Sequence, residues 1–438
     1  AACLDANTTG NNNTALGQNA LGANTTGSNS VAIGTAAGDA ITTGGNHTAV
    51  GYGALGAVTT VGSLTGIGYE AGAANTSGTD NVYVGYQAGT AVTSGSNNVL
   101  LCSAAGDALT TGGQNTFVGF SAGGAQTTSS QNTAVGYGAL DACVDTGQHT
   151  AMGHNALGAC VDGTNNTAFG SQAGAAVTSG SSNTLVGAYT GDALTTGHNN
   201  VYVGVNAGGT ATEAGYNICI GNGTGNGGAT TGDHNIVMGH AAGDALTSGA
   251  NNVIIGQSAG TTLTTGATNV AIVAEALYYQ TTASNNTVVG NGAGKATTTG
   301  SENVLLGSYA GDAITTGAQA VAVGHHALGS NTTSHYNVAV GWAALAACTT
   351  GASNTAVGNS ALNDVTTSSG NTAVGYAAGD AITTGDNNTA VGGYALTSAT
   401  TTAGVTSIGY NSGNILTTAP SCAFVGDYAA DAVTTGGY

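Results

Sequence analysis

Asn371–Asn387 reads Asn-Thr-Ala-Val-Gly-Tyr-Ala-Ala-Gly-Asp-Ala-Ile-Thr-Thr-Gly-Asp-Asn, and Asn388 begins the next copy. Gly375, Gly392 and Gly409 recur at the same phase. Taking this glycine as an anchor, anchors stand every 17 residues from Gly17 to Gly221 and from Gly239 to Gly426, with one extra residue within 222–231. The two runs hold 13 and 12 anchors, so 13 + 12 = 25 coils are expected. Only Cys102 and Val273 replace the glycine. Columns are numbered from the anchor, so that Val374 is at −1 and Tyr376 at +1.

Each column restricts its residue types. Position −1 is large and apolar, as in Leu16, Ile33, Val50, Met152, Phe169 and Val425, and −3 is nearly always Thr, Val or Ile, as in Thr14, Val31 and Ile218. β-Branched residues at period 2 make a short strand with one buried face. We expect −1 and −3 to be that face. Ala fills +3 in 22 of 25 coils, with Thr190, Thr224 and Ser412 as exceptions, which implies a tight interior corner. Position +4 is Leu or Gly in nearly every coil, and +7 answers it. Gly38 goes with Ile41, Gly106 with Leu109 and Gly379 with Ile382; Leu21 goes with Asn24, Leu157 with Cys160 and Leu328 with Asn331. One pocket is filled from either of two positions. Leu55 with Val58 and Gly72 with Asn75 break the exchange. Asn occupies −4 in 18 of 25 coils, where stacked amides can bond their equivalents in the coils above and below. Gly, Thr and Asn recur too often for a helix. The expected fold is all-β, one continuous parallel β-solenoid over residues 1–438 that rises about 4.8 Å per coil. Both ends fall mid-coil without a charged cap, so the open ends are expected to stack on another copy; a fragment of a longer rod is the alternative.

Composition narrows the function. The net charge is −19, Lys295 is the only basic side chain, charged residues are 5% and Pro420 is the only proline. Nucleic acid and anionic membrane surfaces are bound through Lys and Arg, so neither is an expected partner. No apolar run reaches the roughly 18 residues of a membrane-spanning helix. At 41% hydrophobic the chain is too apolar for a solvated disordered segment.

Asn29-Ser30-Val31-Ala32-Ile33-Gly34 and the many Asn-Thr-Ala-Val-Gly-Tyr runs resemble the head repeats of trimeric autotransporter adhesins of the YadA type. They are also similar to the Asn-Thr-Ala-Val-Gly-Tyr repeats of fibre and phage tail-fibre proteins. The resemblance covers Leu16 through Gly436, with a coil longer than the usual head repeat. It implies a left-handed β-roll and surface display. For the adhesins it also implies trimerisation and binding to host matrix.

Several residues are candidates for surface function. Position −2 is expected to point outward. It is bulky at Tyr83, Leu100, Phe117, Leu185, Tyr202, Val237, Ile254, Val288, Leu305 and Phe424. Consecutive coils stack these residues into apolar stripes, read as lateral chain–chain contacts. The other reading of this face is a second interior wall. The aromatic residues at +1, among them Tyr52, Tyr69, Tyr86, Phe120, Tyr137, Trp342, Tyr376 and Tyr410, suit either ring ladders or carbohydrate platforms. Thr-Thr pairs at +8 and +9, such as Thr42-Thr43 and Thr383-Thr384, invite an ice-binding reading. Adjacent residues point to opposite sides, however, and hydroxyl ladders or O-glycans suit the pairs better. N-glycosylation sequons stand at Asn7, Asn12, Asn24, Asn46, Asn75, Asn165, Asn222, Asn285, Asn331 and Asn387. Cys143 and Cys160 share column +7 in adjacent coils, at a spacing that suits a disulfide; two stacked buried thiols are the alternative. The seven cysteines otherwise show no metal-ligand spacing, and no cofactor motif is found. Gly119-Phe120-Ser121-Ala122-Gly123 and Gly256-Gln257-Ser258-Ala259-Gly260 match a nucleophile elbow, and Gly51-Tyr52-Gly53-Ala54-Leu55-Gly56 matches a dinucleotide fingerprint. All three sit at ordinary repeat phase. The expectation is a non-enzymatic extracellular fibre subunit whose partner is another copy of itself. A receptor-binding adhesin or tail-fibre shaft comes second, and an ice-binding protein third.

Overall fold

The computed structural model describes residues 3–144, 147–227, 231–418 and 421–435. It is all-β: 25 three-residue strands, and no helix among the described residues. Internal contacts divide the chain into two units, Ala1–Tyr216 and Asn217–Tyr438. The first holds the strands from Thr14–Leu16 to Val201–Val203, and the second those from Ile218–Ile220 to Ala423–Val425. Each unit is a parallel β-solenoid in which a strand pairs with its equivalent one coil away. Thr14, Ala15 and Leu16 lie beside Val31, Ala32 and Ile33, 17 residues on. The step from Ile218 to Ile236 is 18 residues, which confirms the single insertion. That insertion falls within 222–231, of which 228–230 lie outside the described residues.

Backbone hydrogen bonds between coils continue around the whole turn. Gly34 N–H donates to Leu16 O at 2.8 Å, Gly38 N–H to Ala54 O at 2.9 Å and Thr42 N–H to Thr59 O at 2.8 Å. This stacking favours glycine at the anchor, although Cys102 at φ 108° and Val273 at φ 87° take the place in two coils. Gly68 has φ +140°, and a Cβ there would lie 2.2 Å from the carbonyl oxygen of Gly85. Three further residues per coil are left-handed and need not be glycine. In the coil of Gly324 they are Gln319, His326 and Leu328, at φ 57°, 54° and 55°. At −5 the residue types fit this, since Asn stands there in nine of 25 coils; nothing in them announced the one at +2.

The strand faces are the reverse of those expected. The middle residue, −2, points inward. Tyr83, Leu100, Phe117, Leu185, Val237, Ile254, Val288 and Leu305 have no exposed surface and Tyr202 is 1% exposed, while Phe424 is partly buried against the core. None of these ten forms a lateral stripe; the second-interior-wall reading holds. Positions −1 and −3 face out, with Leu16, Ile33, Phe169, Val374 and Val425 all exposed. Alternation alone cannot distinguish the two faces, because a one-residue shift exchanges them. The β-branched residues at −1 and −3 reflect strand propensity on a pleated surface, not burial.

The inward −2 column also explains the broken exchanges. The core pocket is shared by three positions: −2, +4 and +7. A Cβ on Gly72 would lie 2.3 Å from Tyr83 Cδ2, so Tyr83 already fills the space beside Gly72 and Asn75. Asn75 Nδ2 donates to Tyr83 Oη at 2.9 Å, which satisfies both buried polar groups. Leu55 and Val58 are both large because Gly66 takes the −2 place of the next coil; a Cβ there would lie 2.8 Å from Leu55 Cγ. Leu362 with Val365 is a further exception, both being fully buried, whereas at Gly379 the two-position exchange holds as read. The Cβ missing from Gly379 would meet Leu362 Cδ2 at 2.9 Å and Ile382 Cδ1 at 3.0 Å.

Candidate functional site

The −4 amides form a buried ladder. Asn98 N–H donates to Asn81 Oδ1 at 2.8 Å, and Asn98 Nδ2 donates to Gly112 O at 3.0 Å. The same pair of bonds recurs at Asn166 and Asn183, and in the second unit at Asn252 and Asn269. At +8, threonine hydroxyls donate to the carbonyl one coil on, as from Thr42 Oγ1 to Thr59 O at 3.1 Å. These hydroxyls are therefore tied into a ladder rather than presented as a flat array.

The surface offers three features. The first is the strand face itself. Ranks −3 and −1 run side by side along each unit, as in Thr48 and Val50, Thr65 and Ile67, Thr116 and Val118. No charged residue falls on either rank among the described strands. Strand geometry spaces residues about 4.8 Å apart along each rank and about 6.8 Å apart across them.

The second is the aromatic column. Tyr52, Tyr69 and Tyr86 stack with centroids 5.2 Å apart and interplanar angles of 12° and 13°. Phe120, Tyr137 and His154 stack likewise. Ring faces cover one another and ring edges meet solvent, so within these stacks the ladder reading holds; sugar rings dock on open faces. In the second unit Tyr376, Tyr394 and Tyr410 meet edge to face.

The third is the sequons, which separate cleanly. Asn12, Asn46, Asn165, Asn285 and Asn387 are all exposed at −5, each in the left-handed turn before a strand. Asn7 and Asn222 are exposed in other columns. Asn24, Asn75 and Asn331 are buried at +7. Their amides bond Gly27 O, Tyr83 Oη and Ser334 Oγ, so these three are core groups and not glycan acceptors.

Comparison of the chain with protein-family models and with curated proteins finds no match. The remaining candidates therefore rest on geometry alone. Ser121 and Ser258 sit in left-handed turn positions with no helix following, outside the strand–turn–helix setting of a nucleophile elbow. Burial pushes the Cys219 thiol up to about 12 and the Cys348 thiol up to about 11, which makes both inert fillers.

Cys143 and Cys160 are buried and brought together as expected, and no disulfide joins them in the structure. The residue that sequence reading missed is His149. It is buried in the −4 column, and its Nε2 lies 3.8 Å from Cys160 Sγ. The donor atoms of Cys143, His149 and Cys160 all lie within 4.8 Å of one another, the one such group found among the described residues. Column +7 meets column −4 across the coil interior, so residues 11 apart in sequence become neighbours. Gln280 and Asn269 make the same cross-coil contact at 3.0 Å.

Proposed function

We propose that this chain is a non-enzymatic structural protein, a β-solenoid subunit that packs side by side with other copies into an extracellular fibre. The observation that carries the reading is the uncharged strand face of each unit, an apolar rank at −1 beside a rank of Thr, Val and Ile at −3. A continuous apolar rank of this kind marks an interface. A second copy presents the same pleat and the same coil rise, so two faces interdigitate at the sheet-packing distance of about 10 Å. Two charge features are consistent with this arrangement. The acidic residues lie off these ranks, and the only ion pair among the described residues, Lys295 with Glu275, stands apart from them. Extracellular placement is supported by the row of exposed sequons. Adhesin or tail-fibre activity rests on resemblance alone.

Ice binding is the second reading, and one observation favours it. Thr at −3 and Val or Ile at −1 are outward at alternate positions, the arrangement that the adjacent Thr-Thr pairs lack. Electron microscopy and sedimentation of the native protein test the main reading. Side-by-side filaments are expected, and they should disperse in the variant Ile33→Lys, Ile67→Lys, Val374→Lys, Ile408→Lys, which places charge on exposed −1 positions. Dispersed molecules at high concentration in the native protein would sink the fibre reading. Thermal hysteresis lost in the same variant would support ice.

A further inference from the structure

His149 stands in a column normally held by Asn, and it reproduces both amide bonds. Its Nδ1 accepts from Asn166 N–H at 3.3 Å, and its Nε2 lies 2.9 Å from Gly163 O. His47 makes the Nε2 contact alone, beside Val61 O, with Val58 at +7 of its coil, and Cys348 fills +7 beside Gly351 with Asn337 at −4 of its coil. Neither role needs the other. Only between the coils of Gly136 and Gly153 do two adjacent +7 cysteines and a −4 histidine coincide, because Leu140 and Leu157 at +4 leave room there for small residues.

We propose that Cys143, His149 and Cys160 bind a divalent ion of the zinc or cadmium type. Metal–sulfur bonds of about 2.3 Å and metal–nitrogen bonds of about 2.0 Å in a tetrahedral site hold such donors roughly 3.5–3.8 Å apart. The separation of 3.8 Å between Cys160 Sγ and His149 Nε2 already meets this, and the 4.8 Å limit on the group leaves less than a bond length to close. Charge also fits. Two thiolates neutralise a divalent ion, so the completed unit adds no net charge to an interior that holds none. On binding, the two thiol protons leave to solvent and the metal takes the Nε2 lone pair. The imidazole stays neutral by carrying its proton on Nδ1. This gives up the Asn166 contact, which at 3.3 Å is longer than the 2.8 and 3.0 Å of its neighbours in the ladder. Gly163 O, 2.9 Å from Nε2 and 3.9 Å from Cys160 Sγ, has to turn off the Nε2 axis for the ion to enter.

The test is a titration of the reduced, metal-free full chain with cadmium, followed by the thiolate-to-metal charge-transfer absorption in the ultraviolet. Saturation at one equivalent is expected, with the band lost in Cys143→Ser and in Cys160→Ser. His149→Asn restores the usual residue of the column, so the fold is kept while the nitrogen ligand is removed. Affinity should then fall at least about 10-fold, since even outer partners of a ligand are worth that much. Circular dichroism of each variant reports folding independently. No saturable band in the native chain overturns the proposal, and so does unchanged cadmium affinity in folded His149→Asn.

Discussion

Asp312 and Asp380 each hold one buried carboxylate oxygen without a hydrogen bond. Burial raises both carboxyls above their ordinary value, with the nearby Asp364 adding to the shift at Asp380. A raised folded-state value means that the protonated form is favoured in the fold. The associated stability is full below the ordinary carboxylate range and is lost as pH rises through the raised value. The melting temperature is therefore expected to climb as pH falls from neutral toward that range, and Asp312→Asn with Asp380→Asn should flatten the climb. His47 works in the other direction. Burial holds its pKa down, so protonation costs stability below its ordinary value, and His47→Asn should remove that component. Asparagine burial sets a second expectation at this scale. Mass spectrometry of native material should find N-glycans only among exposed sequons such as Asn46 and Asn285. A glycan on Asn24, Asn75 or Asn331 would contradict their placement in the core.

At the scale of the coil, the trade among −2, +4 and +7 can be measured. Tyr83→Ala opens a cavity and should cost about 3–5 kcal/mol. Gly72→Leu overfills the same space and should cost about 1–3 kcal/mol, although Leu55 shows that leucine accepts the left-handed backbone there, at φ 54°. The double variant should recover about 1–3 kcal/mol relative to the sum, and strict additivity in denaturant melts would refute the shared pocket. The same trade shows what was legible in the sequence. The anchor spacing yielded coil length, strand register and the insertion, because each depends on phase alone. The sign of the strand face was not legible from alternation. It was present in the sizes, since Tyr83 and Phe117 stand among glycines at +4: Gly72, Gly89, Gly106 and Gly123. His149 escaped notice because ligand spacing was sought along the chain, whereas columns −4 and +7 meet only across it.

For the molecule as a whole, each strand pairs only with its equivalents in adjacent coils of its unit, so stability is close to a sum over neighbouring coils. Urea unfolding should then show a denaturant dependence well below that of one cooperative transition of 438 residues, with amide exchange released in blocks. A single sharp transition with full dependence would contradict this. The wide Asn and Thr ladders also have a mechanical meaning. One coil spends 17 residues on a rise of about 4.8 Å, yet the same chain pulled straight spans about 58 Å. Under tension, each coil that unwinds would extend to roughly twelve times the length it occupied, after the ladder bonds holding it have broken one coil at a time. A strand of this material would stretch by yielding stored contour length in small steps, dissipating work at every step, and would do so well before any covalent bond carried the load.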